Sequence, residues 1–181
     1  MVTRTPFVFG FCLILLINFE GLDSARYIGR TPNAASAILD NSQNKKCDGC
    51  NAPGHPRGHA SYPAARGPLD SVENYSNSTN SQKSGFLSRG DQNAVANQAL
   101  MNQKSQHAIS ELNKGKNSEA VTLSVKDFGG FKLPKMKEYN KGHPSKNEYD
   151  IKEVVVVLRH QAGKKKDKNA DVFVQTIYPK K

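Results

Sequence analysis

Two runs near the C-terminus constrain this chain more than anything else in it: EVVVVLRHQ, Glu153 to Gln161, and DVFVQTIYP, Asp171 to Pro179. The first is a β-branched run and the second alternates apolar with polar residues, so both read as strands. Nine residues join them, AGKKKDKNA, polar and cationic. A connection that short and that hydrophilic predicts an antiparallel hairpin, because a parallel pair needs a crossover of a dozen residues or more. Two strands alone are marginal in water, and an uncovered VVVV edge would invite aggregation. VTLSV, Val121 to Val125, alternates in the same way and is the natural third strand.

One face of such a sheet needs a cover. DQNAVANQALMNQKSQHAISELNKG provides Asp91 as a candidate N-cap, then Val95, Ala99, Ala108, Ile109 and Leu112 at helical spacing, and a stop near Gly115. This predicts one helix of about twenty residues lying on the sheet. The stretch between the third strand and the hairpin, DFGGFKLPKMKEYNKGHPSKNEYD, reads as a long excursion with a short strand around Phe131 to Leu133. The fold class is therefore α+β, one helix packed on a small antiparallel sheet. Residues 89–181 would form the ordered unit, large enough for one small core.

Upstream the texture differs. Residues 26–88 hold five of the nine prolines together with many Asn, Ser and Gly. Few large apolar residues are available there to offset the chain entropy lost on folding, so this part is expected to be a long disordered arm. AASAIL, Ala34 to Leu39, would form no more than a transient helical turn. Asn74-Tyr75-Ser76 and Asn77-Ser78-Thr79 are N-glycosylation acceptors, with Asn74 and Asn77 as the modified residues.

The chain opens with a single early charge, Arg4, followed by FVFGFCLILLINF from Phe7 to Phe19. Thirteen residues suit a secretory signal but fall short of the about 20 needed to span a bilayer. Ser24 and Ala25 place the cut before Arg26, making residues 1–25 a signal peptide and the product a secreted, extracellular protein. The full chain has 26 basic and 16 acidic residues. Removal of Arg4, Glu20 and Asp23 leaves 25 against 14, a net charge of +11. Such a charge favours polyanionic partners, and the expected partners are acidic glycans or a protein partner. Nucleic acid would be met only if the protein is delivered into a cell.

Cleavage also removes Cys12, so the exported chain keeps Cys47 and Cys50. An even count in an oxidising compartment favours a disulfide, and the intervening Asp48-Gly49 pair forms turns readily. So small a ring restrains little of the unfolded chain. In CDGCNAPGHPRGH the same cysteines precede His55 and His59 at spacings similar to a zinc knuckle, although Ala60 stands where the knuckle has its last cysteine. Cys47, Cys50, His55 and His59 are thus an alternative zinc set, open to a secreted effector that reaches a reducing cytosol and binds nucleic acid there.

Lys164, Lys165, Lys166 and Lys168 form the densest cationic cluster and are the candidate polyanion-binding residues. Alternatively they keep two apolar strands soluble. Lys45-Lys46 and Gly163-Lys164-Lys165 also have the layout of precursor-processing sites, but a cut at Gly163 would split the hairpin.

The order helix, strand, long connection, hairpin resembles the cystatin fold over Gly85 to Pro179, with HAISELNKGKNSEAVTLSV similar to the cystatin helix end and next strand, and GKKKDKNADVFVQTIYP to its final hairpin. That resemblance implies a cysteine-protease inhibitor in which Gly85 or Gly90 enters the protease cleft. The Q-x-V-x-G loop and the Pro-Trp loop of inhibitory cystatins have no counterpart, and the chain contains no Trp. No H-E-x-x-H, G-x-S-x-G or glycine-rich phosphate loop is present. The expectation is a basic, non-catalytic binding protein without a cofactor.

Overall fold

A computed structural model describes residues 25–167 and 169–181. The signal stretch, Ala25 excepted, and Lys168 lie outside the described residues. The helices are α1 (Pro32–Ser42), α2 (Val72–Ser78), α3 (Arg89–Met101) and α4 (Gln103–Asn113), with 3-10 turns at Pro56–His59 and Val125–Phe128. The strands are β1 (Lys83–Phe86), β2 (Glu119–Ser124), β3 (Lys135–Asn140), β4 (His143–Pro144), β5 (Tyr149–Asp150), β6 (Glu153–Arg159) and β7 (Phe173–Lys180). The protein is α+β. Among the described residues no helix is long and apolar enough to cross a membrane.

The expected three-stranded sheet is present, antiparallel in the order β2-β6-β7. Register puts Val121 opposite Val156 and Val156 opposite Ile177, with Leu123 opposite Val154 and Leu158 opposite Val174, so one face is a continuous apolar sheet of enclosed side chains. A bulge between Val157 and Leu158 adds Gln175 to β7 without a partner in the register and bends the ladder locally. Helices α1, α3 and α4 cover the apolar face through Ile38, Leu39, Val95, Leu100, Ile109 and Leu112.

The single predicted helix is two. Its N-cap is Ser88, whose hydroxyl accepts from the Asp91 amide at 3.0 Å, rather than Asp91 itself. Asn102 then takes an extended conformation and its side chain caps α4 by accepting from the Lys104 amide at 2.8 Å. An Asn that caps its own downstream helix competes with helix continuation, and this accounts for the polar break in the apolar stripe.

Residues 26–88 correct the expectation of a disordered arm. They hold α1, α2, β1 and the first 3-10 turn, and Tyr27, Ala35, Ile38, Leu39 and Phe86 belong to the main core. Pro32 stands at the first turn of α1 behind the Thr31 cap. The abundant polar residues are fasteners: Gln43 donates to the Leu69 carbonyl at 2.8 Å and accepts from the Arg57 amide at 2.9 Å, while Asn74 Nδ2 donates to Ala65 and Gly67 carbonyls at 3.1 and 2.9 Å. The segment reads as too polar to fold because its apolar residues find partners more than sixty positions away. Tyr27, for example, donates to the Asn97 carboxamide at 2.5 Å.

A second sheet, β1-β3 with the short β4 and β5 also paired to β3, forms from β1 of that segment and the long excursion. The short strand expected at Phe131 to Leu133 lies instead at Lys135–Asn140. At the other end, Ala25 is buried, and its N–H and C=O are both bonded to the Asn113 carboxamide, at 2.8 and 3.0 Å. Ala25 is therefore part of the folded unit.

Candidate functional site

Cys47 and Cys50 form a disulfide with Cα atoms 5.3 Å apart. Paired sulfurs offer no thiolate to zinc, and among the described residues no group of three or more His, Cys, Asp or Glu is arranged to hold a metal ion. The loop is docked rather than free: the Asp48 amide donates to the His160 carbonyl at 3.1 Å, and the Gly163 amide donates to Asp48 Oδ1 at 3.0 Å. The cysteine loop thereby fastens the start of the Lys-rich loop.

That loop divides its lysines. Lys164 pairs with Asp167 at 3.0 Å, while Lys165 donates to Asn117 Oδ1 at 2.9 Å and lies 3.4 Å from the Gly115 carbonyl. Lys166 is exposed. Lys164 also lines a depression of about 330 Å³ with Lys45, Lys46 and Phe173, so the cationic surface is shared between segments far apart in sequence. Of the two glycosylation acceptors, Asn77 is exposed on α2, whereas the Asn74 amide is used in holding the 65–67 loop.

The densest grouping of chemically active side chains lies elsewhere, around the 3-10 turn. Pro56 starts that turn and the His55 amide ties it to the β7 backbone by donating to the Gln175 carbonyl at 2.8 Å. Its last residue, His59, is brought against β7, and its ring centroid is 5.1 Å from that of Tyr178 and 5.4 Å from that of Tyr75 on α2. The His55 ring stands 5.1 Å from Tyr75 and 6.1 Å from His59. Lys83 of β1 completes the group, with Nζ 4.4 Å above the Tyr75 ring. Five side chains, drawn from the 3-10 turn and its lead-in, α2, β1 and β7, thus converge on one surface.

The electrostatics of the two histidines follow from this packing. His59 is 7 % exposed, and burial lowers its pKa to about 3; the Ser84 carbonyl opposes this, and His55 and Lys83 reinforce it. Its Nδ1 lies 2.9 Å from that carbonyl oxygen. A carbonyl only accepts, so Nδ1 carries the proton and Nε2 carries the lone pair. Nε2 has no hydrogen-bond partner among the described residues. His55 is lowered too, chiefly by burial, with the Pro53 carbonyl opposing and Lys83 adding. The Tyr75 phenol is raised by burial.

Such an arrangement can accept a proton at His59 Nε2, exchange one at His55, and hold an anion beside Lys83. The sequence alone places His55 and His59 in a zinc set and does not single out Tyr75, Lys83 or Tyr178. The R-G-H turn flanked by Pro56 is the available signal, but its partners come from β1, α2 and β7.

Comparison of the chain with protein-family models, with curated proteins and with solved structures finds no significant match.

Proposed function

We propose that this is a secreted polyanion-binding protein whose point of action is the His55, His59, Tyr75, Lys83 and Tyr178 cluster, and that it cleaves the phosphodiester backbone of nucleic acid there. The observation that carries this reading is the neutral His59, its Nδ1–H tied to the Ser84 carbonyl and its Nε2 lone pair without a hydrogen-bond partner among the described residues. A general base needs that tautomer and that freedom. The net charge of +10 draws in a polyanion, and two aromatic rings beside a lysine suit stacked bases next to phosphate. Acidic glycans, which share the charge but not the bases, fit the tyrosines less well.

In the proposed reaction His59 Nε2 takes a proton from water as the water oxygen bonds to phosphorus. The phosphorus–oxygen bond to the leaving alcohol breaks with its electron pair on oxygen, and that oxygen takes a proton from the imidazolium form of His55, leaving the neutral ring; burial and Lys83 make that form the lesser one near neutral pH. Both imidazoles then re-equilibrate with solvent. Lys83 offsets the charge on the non-bridging oxygens.

The test is incubation of the exported chain with single-stranded RNA, single-stranded DNA and a heparin-type glycan, each with magnesium and in EDTA. Wild type should shorten a nucleic acid, and His59→Ala should slow this by about 10²–10⁴-fold, the usual span for loss of a general base, with binding retained. Retention of all three polymers without shortening would return the protein to the non-catalytic binder expected from composition. Shortening of the glycan alone would overturn the choice of substrate.

A further inference from the structure

Two cationic depressions flank the histidine cluster along the same strand. At the start of β7, Lys45, Lys46 and Lys164 surround Phe173. Toward its end, Lys83, Lys180 and Lys181 line a depression of about 350 Å³. Between them lie Gln175, whose carbonyl holds His55, and Tyr178, which faces His59. From Phe173 to Tyr178 the strand advances about 17 Å at roughly 3.3 Å per residue. One nucleic acid strand carries a phosphate about every 3.4 Å when stacked, so the span matches about five stacked nucleotides.

The first depression is built, not accidental. Asn44 N donates to the Gly54 carbonyl at 2.8 Å and Gly54 N to the Lys45 carbonyl at 2.9 Å, which lays Lys45 beside the segment entering His55. That ladder needs Gly54: a Cβ there would meet the Ser42 carbonyl oxygen at 2.4 Å and the Phe173 ring at 2.7 Å. The docked disulfide loop then holds Lys164 alongside. Lys45 and Lys46 have no carboxylate partner among the described residues, whereas Lys164 is paired with Asp167 at 3.0 Å, and Lys180 and Lys181 with Glu153 and Glu138 at 3.5 and 2.9 Å. Of the lysines lining the two depressions, Lys45, Lys46 and Lys83 are therefore the ones without a carboxylate partner among the described residues. Asp40, the nearby carboxylate on α1, is taken up by Arg57.

We infer that the polyanion lies extended over the surface that runs beside β7 past the partly exposed Gln175 and Tyr178, gripped at Lys45, Lys46 and Lys164 on one side of the histidine cluster and at Lys83 on the other, so that the protein selects chains several units long. This rests on the reading of the cluster as the point of action, and it adds a remote binding surface that short substrates do not reach.

The experiment compares wild type with Lys45→Ala/Lys46→Ala/Lys164→Ala, using a labelled 12-nucleotide single strand and a trinucleotide over a salt series. Lys126→Ala/Lys132→Ala/Lys146→Ala is the control of equal charge loss. Wild type should bind the 12-mer far more tightly than the trinucleotide. The first triple variant should lose most of that advantage and flatten the salt slope by about 2, since each contact on a single strand contributes about 0.7; the control should keep both. Trinucleotide cleavage should be unchanged in the Lys126/Lys132/Lys146 control and lost in His59→Ala. Equal loss in both triple variants, or no length dependence in wild type, overturns the track. If length dependence holds while wild type cleaves nothing, the track stands and the catalytic reading falls. No binding of either oligonucleotide removes both.

Discussion

Arg57→Ala is expected to lower folding stability by about 3–5 kcal/mol, from the void left by a large buried side chain together with an enclosed acceptor that loses its donor. Arg57 is 2 % exposed, yet every nitrogen of its guanidinium is engaged. Nε donates to Asp40 Oδ1 at 2.7 Å, Nη1 to Gln92 Oε1 at 2.9 Å and Asn93 Oδ1 at 2.7 Å, and Nη2 to the Ser36 hydroxyl at 2.9 Å and carbonyl at 3.2 Å. The one side chain therefore joins α1, the 3-10 turn and α3. Truncation leaves a void and an enclosed Gln92 oxygen without its donor, each costly in itself. Asp40 is half exposed and returns to water at little cost. Lysine cannot replace this fork, since one ammonium does not span partners on both sides of a plane. Typical domains hold only about 5–15 kcal/mol in all, so the variant should unfold at distinctly lower urea and temperature. Asp40→Asn, which keeps an acceptor, should cost far less. A loss under about 1 kcal/mol for Arg57→Ala, well below the cost of a core void, would mean that the guanidinium is not what ties the 26–88 segment to the helices.

Acid should destabilise the protein through the site itself. His59 titrates near 6.5 when unfolded and about 3 when folded. Between those values the unfolded chain binds a proton that the folded chain refuses, so stability falls as pH drops below about 6.5. The slope from one such group is about 1.4 kcal/mol per pH unit. His55, lowered in the same direction, steepens it. Asp127, held at about 2 by Lys104 and Ser124, acts only below the ordinary carboxylate range and so does not enter between about pH 5 and 6.5. Urea titrations at about pH 7, 6 and 5 should show the wild-type midpoint falling steadily and that of His59→Gln falling much less. Parallel slopes in the two proteins would show that His59 is not buried as a neutral imidazole. Above about pH 4 the same shift keeps His59 ready to accept a proton, whereas His55, which must hold a proton to act as the acid, limits activity on the alkaline side.

The hairpin is plain from its residues because β-branched runs and a polar nine-residue connection leave few alternatives, and VTLSV is legible for the same reason. The α1 to β1 region is hidden. Thr31, Ser71 and Ser88 are all N-caps, but in a stretch rich in Ser, Asn and Pro those residue types read equally well as loop. The helix stripe from Val95 to Leu112 is correct in its apolar positions and wrong only in continuity, because an Asn that caps the next helix looks the same as one tolerated in mid-helix. Of the cluster, only His55 and His59 stand out in the sequence, and there they stand beside the cysteines that precede them. Their true neighbours, Tyr75, Lys83 and Tyr178, carry no spacing rule that links them.

Residue order alone is enough for the antiparallel hairpin, its third strand, the covering helical stripe, the cysteine pair and the basic character, since each depends on contacts or composition within a few residues. Whether 26–88 would fold, where Arg57 would be buried and which rings would meet His59 depended on packing between segments far apart in the chain, from Arg57 against Asp40 to His59 against Tyr178. Local preference is blind to that, because a polar segment orders only when distant apolar faces and hydrogen-bond partners arrive to offset its lost entropy.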